Sequence, residues 1–126
     1  ASSHPDVALE LERVPASVAR LSADQIAAEG AAEVGERWER ELTARGPAWL
    51  HLDLDVLDEE DLPAVSYPQP RGLDWQSFSE LARPFLASPA LAGMSVADLN
   101  PDLDGDGSQA RRVVRALAEA LYAESP

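Results

Sequence analysis

Three aspartates, Asp53, Asp55 and Asp98, carry the clearest chemical signal in the sequence. The first two lie in His51-Leu52-Asp53-Leu54-Asp55-Val56-Leu57-Asp58, and the third in Met94-Ser95-Val96-Ala97-Asp98-Leu99-Asn100-Pro101. Both stretches read as strands ending in carboxylates. In a strand, residues two apart point the same way, so Asp53 and Asp55 are expected on one side of a strand end. Ligands of an open parallel sheet bind beyond the carboxyl ends of its strands, and Asp98 is expected at that same edge. Carboxylates a few ångströms apart repel unless one is protonated or a cation sits between them. A hard divalent metal resolves the conflict. An aspartate pair at a strand end can also cap a turn, and the residues alone leave both readings standing. His51 shares a face with Asp53 if the strand is regular. It reads as a metal ligand, a hydrogen-bond donor to one, or a buried hydrogen-bonded histidine.

The rest of the composition narrows the chemistry. The chain has 126 residues, the size of one domain, and is 45% apolar and 26% charged, as soluble globular domains are. Its 23 acidic residues outnumber 10 arginines, and the formal charge is -13. That surface repels phosphate backbones and excludes nucleic acid as a partner. It favours metal cations or a cationic small molecule. There is no lysine, so no phosphate-loop lysine, Schiff base or lysine base is available. There is no cysteine, which removes thiol chemistry and disulfides and is compatible with a cytoplasmic location. No apolar run is long enough for a membrane span, and no signal segment is expected.

The elements that must position these groups follow from the pattern. Ser2-Ser3-His4-Pro5 leads into a helix expected over Asp6 to Arg13, stopped by Val14-Pro15. Ala16 to Leu21 is a candidate strand. Ser22 and Gln25 have capping-box spacing. The helix that follows is expected to reach about Arg45, with a break near Gly30 and Ile26, Val34, Trp38 and Leu42 on one face. Ala48 to Leu54 is the strongest strand and reads as buried on both faces. A proline-bearing loop runs from Asp58 to Gly72. Asp74 caps a helix presenting Phe78, Leu81, Ala82 and Phe85, which Pro84 is expected to kink or end. Leu91 to Leu99 is another strand, and Ser108 is expected to cap a last helix with Val113, Val114, Leu117 and Leu121 on its apolar side. Strand and helix thus alternate three times, the order of an α/β fold with a parallel sheet and crossover helices. Three strands are few for such a sheet. The chain reads as the end of a larger domain.

A wider stretch adds a resemblance. The His51–Asp58 segment, followed by Pro63-Ala64-Val65-Ser66-Tyr67-Pro68-Gln69-Pro70-Arg71-Gly72-Leu73, resembles a signature of the ureohydrolases: arginases, agmatinases and formiminoglutamases. Downstream, Ser95-Val96-Ala97-Asp98-Leu99-Asn100-Pro101 is similar to the family's next strand end. The resemblance runs from about Pro47 to Leu121. It implies that residues 1–126 are the C-terminal part of an arginase-like three-layer α/β/α fold. It implies manganese-dependent hydrolysis of a guanidinium or related C–N bond through a metal-bridging hydroxide, with two Mn²⁺ in the complete protein. By position, Asp53 matches the carboxylate bridging both metals and Asp55 a ligand of one. Asp98 matches the acidic residue that holds the substrate's cationic group.

The chain departs from the family pattern in places. His51 stands where a small residue is usual. Arg71 replaces the first of two glycines, so its backbone is expected to avoid positive φ. Asp98 is one methylene shorter than the usual glutamate. The family's Gly-Gly-Asp-His and Asp-Ala-His-x-Asp segments, which bring further ligands, do not occur in this sequence. The chain alone is therefore expected to bind metal weakly or not at all and to lack activity. It is expected to self-associate or to pair with a complementary N-terminal half. The non-enzyme alternative is a folding or interaction fragment, or a family member that has lost activity.

Two further patterns stand in the sequence. Asp102, Asp104 and Asp106 open like a calcium loop, but the twelfth position is Val113, where a bidentate glutamate is required. An acidic loop complementing the positive N-terminus of the following helix accounts for them better. A haloacid-dehalogenase-type phosphotransferase also uses a strand ending Asp-x-Asp, but there Gly-Thr follows and a lysine is required, and this chain has neither.

Overall fold

Ser22 satisfies amides that the helix after it would otherwise leave without partners. Its hydroxyl accepts from Gln25 N at 3.1 Å, and Gln25 Oε1 accepts from Ser22 N at 2.8 Å, completing the capping box. The computed structural model describes residues 13–122. Helix α1 spans Ala23–Glu29, and α2 spans Ala31–Thr43. They are separated at Gly30, whose φ of 96° suits glycine. The break expected at Gly30 is therefore present.

Residues 16–21 do not form the expected strand. Val18 N donates to Pro15 O at 3.0 Å, closing a turn, and Val18 is exposed. Proline sets φ for turns and supplies no amide for a ladder, and among the described residues no strand lies alongside to override that preference. The expected opening helix from Asp6 falls outside the described residues apart from Arg13, which stands in a turn.

Strands β1 (Ala48–Asp53) and β2 (Leu91–Ala97) form a two-stranded parallel sheet. Helix α3 (Trp75–Leu86) makes the crossover, and α4 (Ser108–Leu121) follows β2. The register pairs His51 with Ser95, Leu52 with Val96 and Asp53 with Ala97. Beyond β1, single bridges join Leu57 to Leu73 in parallel and Val65 to Leu99 in antiparallel sense. The long loop is thereby laced to both strand ends.

β1 is not buried on both faces. Leu52 is buried and Leu50 packs against the core, while Trp49 is 65% exposed and His51 is exposed. The core gathers on the Leu50 and Leu52 side, with Ile26, Val34, Phe78, Ala82, Leu86 and Val113. One apolar layer is enough to drive folding of that face.

Asp74 caps α3 as expected, accepting from Ser77 N at 2.7 Å. Pro84 lies inside α3, which continues to Leu86. Proline removes the amide that would bond the carbonyl of Glu80. The carbonyls of Glu80 and Leu81 face Gly35 of α2, where an added Cβ would lie 3.2 Å and 2.6 Å from them. A missing side chain thus lets two helices approach at the proline's turn.

The cap of α4 is a correction. Ser108 is the first helical residue and Gly107 precedes it without a side-chain cap. The buried Asp104 does the work, accepting from Gln109 N at 3.0 Å and Ala110 N at 2.9 Å. A carboxylate at a helix N-terminus is favoured by both amides and dipole. The acidic loop thus complements that terminus, as read from the sequence.

Candidate metal centre

Asp53 ends β1, and its Oδ1 accepts from Asp55 N at 3.4 Å as the chain tightens into a 3₁₀ turn over Leu54–Val56. Leu54 and Leu57, 1% and 0% exposed, anchor that turn in the core. Asp55 is therefore not one strand step beyond Asp53. It lies in the turn, and the turn supplies the convergence that strand alternation was expected to give.

Asp98 follows β2 and has φ 75°, in the left-handed region. Aspartate tolerates that conformation better than most residues because its short side chain can bond locally. One carboxylate oxygen from each of Asp53, Asp55 and Asp98 can be chosen so that all lie within 4.8 Å of one another. Asp53 and Asp55 are half-buried and Asp98 is exposed. The three residues singled out in the sequence therefore come together at the carboxyl ends of both parallel strands.

The Asp98 carboxyl is held above the usual carboxylate range. A hydrogen bond shared with the Asp53 side chain contributes most, followed by burial and the Asp53 charge, while His51 acts in the opposite direction. The site thus favours a proton, or a cation in its place, between Asp53 and Asp98.

His51 is exposed rather than buried. Its Nδ1 shares a 2.6 Å hydrogen bond with Ser95 Oγ, and Trp49 Nε1 donates to the same hydroxyl at 3.4 Å. His51 is not one of the clustered residues. The cross-strand pairing of His51 with Ser95 explains this: the hydroxyl opposite engages the ring nitrogen.

Supporting contacts were not legible as site features. Asn100 N donates to Ala64 O at 2.8 Å, and Ala64 N donates to Gln109 Oε1 at 2.7 Å. The loop beside the site is thus tied both to the segment after Asp98 and to α4. Asp58 stands outside the carboxylate group and closes the loop, accepting from Glu60 N at 2.9 Å and Gly72 N at 3.2 Å. Arg71 has φ 61°, contrary to the expectation that its backbone avoids positive φ. Its neighbour Gly72 is pressed against the chain after β1, where a Cβ would lie 2.6 Å from Val56 O. Docking at Gly72 imposes the turn at Arg71.

The donor set fits a hard divalent cation: three carboxylates, close enough to share one ion, with no sulfur donor. Fold and site together define an α/β protein with a carboxylate centre at the carboxyl edge of a parallel sheet. The sequence pattern of the Arginase family matches residues 4–123, and the chain belongs to that family of ureohydrolases. A formimidoylglutamase of Klebsiella aerogenes is 32% identical over 84 residues, covering 67% of this chain and 38% of the relative. The chain spans less than two-fifths of the length of the curated relatives it matches first. The crystal structure of a Bacillus subtilis formimidoylglutamase superposes with a TM-score of 0.77 at 22% identity, covering 94% of this chain and 36% of that one. A Trypanosoma cruzi formiminoglutamase solved with Mn²⁺ gives 0.64 at 22% identity, covering 82% and 35%. The arginase-like α/β fold is thus established.

Proposed function

We propose that the protein containing this chain is a manganese-dependent C–N hydrolase of formimidoyl or guanidino compounds. The carrying observation is the convergence of Asp53, Asp55 and Asp98 at one sheet edge in a chain of this family. Asp53 and Asp55 would hold the metal, which would be Mn²⁺. Bound Mn²⁺ would supply a water nucleophile at neutral pH and polarise the carbon under attack. Asp98 provides the negative charge that pairs with the cationic end of the substrate. The three side chains concentrate negative charge where a cationic amidine-type carbon must arrive. The formimidoylglutamases among its relatives favour a formimidoyl substrate.

Two metals need more donors than Asp53 and Asp55 supply, so this chain alone is expected to be inactive. Its partner surface lies along β1. A groove of about 340 Å³ there is lined by Trp38, Leu42, Leu50, Phe78, Leu81 and Phe85 among others. An open strand edge with apolar flanks is a template for another strand. It would be covered by the complementary portion of a ureohydrolase chain or by a second copy.

The test uses the protein that carries this segment, loaded with Mn²⁺ and offered N-formimidoyl-glutamate and arginine separately. Mn²⁺-dependent release of formamide is expected. Release of urea would move the substrate to the guanidino class. Absence of both products, with metal bound, would overturn the reading in favour of a family member without activity.

A further inference from the structure

We propose that Asp98 is itself a ligand of the metal held by Asp53 and Asp55, closing on it as a third carboxylate while no substrate is bound. This rests on the metal-dependent reading above and adds a role for one residue.

The register makes the first point. Asp53 pairs with Ala97, so those two residues occupy one level of the sheet. Asp98 comes next, and strict alternation would aim it at the other face, with Leu52 and Val96. The left-handed backbone at Asp98 interrupts that alternation. Its carboxylate instead joins the pair on the neighbouring strand.

Distance makes the second point. Oxygens bound to one hard cation lie about 2.0–2.6 Å from it, so two of them can be separated by at most about 4–5 Å. The 4.8 Å that encloses the three carboxylates falls within that span. A cationic substrate lying between Asp98 and the metal needs more. A charge-assisted hydrogen bond to Asp98 already occupies about 2.7–2.9 Å before the thickness of the substrate itself is added. The Asp98 oxygen instead lies within 4.8 Å of those of Asp53 and Asp55.

The consequence is competition. The metal and the cationic end of the substrate claim the same carboxylate, and substrate binding has to open the contact between Asp98 and the metal. Positioning by backbone turn would then set the resting geometry of the centre, while side-chain length sets how far it must open.

The test is titration of the protein that carries this segment with Mn²⁺ alone, reading the free ion by its electron paramagnetic resonance signal. The native protein, Asp55→Asn and Asp98→Asn are compared, with circular dichroism and urea unfolding to verify folding. Asparagine tolerates the left-handed region, so Asp98→Asn keeps the turn. The expected result is Mn²⁺ binding by the native protein and a loss of about tenfold or more in both variants. Native affinity in Asp98→Asn beside a loss in Asp55→Asn overturns the proposal and leaves the metal reading intact. Equal affinity in all three proteins, or no binding by the native protein, overturns this inference together with the assignment of Asp53 and Asp55. If Asp98→Asn fails to fold, Asp98→Gly, which suits the same backbone, is titrated in its place and read by the same criteria.

Discussion

Carboxylates in this chain fall into two physical classes, and their partners separate them. Asp74, Asp104 and Asp106 accept backbone amides near helix starts. Asp53, Asp55 and Asp98 face one another. Backbone and side-chain hydrogen bonds lower the pKa of Asp74 and Asp106, while a hydrogen bond with Asp53 raises that of Asp98. Asp74 shows the first case: the Ser77 backbone and side chain hold its carboxyl below the ordinary 3.8. A lowered folded-state pKa gives stability that is fully present above 3.8 and lost as pH falls through the folded value. Asp74→Ala is therefore expected to cost about 1 kcal/mol near neutral pH. The difference from the native chain should shrink as pH falls below 3.8. Urea unfolding at neutral and acid pH checks this, and a cost independent of pH would mean that ionisation of Asp74 contributes nothing.

Helix packing turns on an absence at one position. Gly35 weakens α2 by about 1 kcal/mol relative to alanine on propensity alone. A surface replacement by alanine would then stabilise the helix. Here the added Cβ would sit 2.6 Å from the carbonyl oxygen of Leu81, a backbone atom that cannot swing aside. Packing outweighs propensity, because separating α2 from α3 also loosens the core around Val34 and Phe78. Gly35→Ala is expected to destabilise by about 1–3 kcal/mol. Thermal unfolding followed by circular dichroism reads the sign, and a stabilised variant would show that the helices can move apart without penalty.

For the whole molecule, surface charge and the β1 edge act in opposite directions. The formal charge of -13 disfavours contact between copies. The groove along β1 and the exposed Trp49 favour burial against a partner. Salt screens the first and leaves the second largely unchanged. The isolated chain is accordingly expected to self-associate more strongly at high ionic strength. Sedimentation at two salt concentrations measures this. A monomer of unchanged mass in both would show that the two-stranded sheet is sufficient by itself. No helix among the described residues is long and apolar enough to cross a membrane.

The sequence by itself determined what local physics controls. The apolar runs marked both strands of the sheet, and Ser22, Gly30 and Asp74 marked helix boundaries through hydrogen bonds reaching no further than four residues. The spacing of the carboxylates and the family resemblance singled out the three aspartates that converge. Tertiary structure decided the rest. Among the described residues, no strand lies beside residues 16–21, so their apolar content formed no sheet. β1 looked buried on both faces because composition does not say which faces other elements cover. The turns at Arg71 and Asp98 take positive φ because contacts distant in sequence hold the neighbouring chain: Gly72 against Val56, and Asn100 against Ala64. Residue type alone predicted the opposite at Arg71. The carboxylate centre depends on both levels. Its members were visible in the sequence, but a 3₁₀ turn and a left-handed residue, rather than strand alternation, bring their oxygens together.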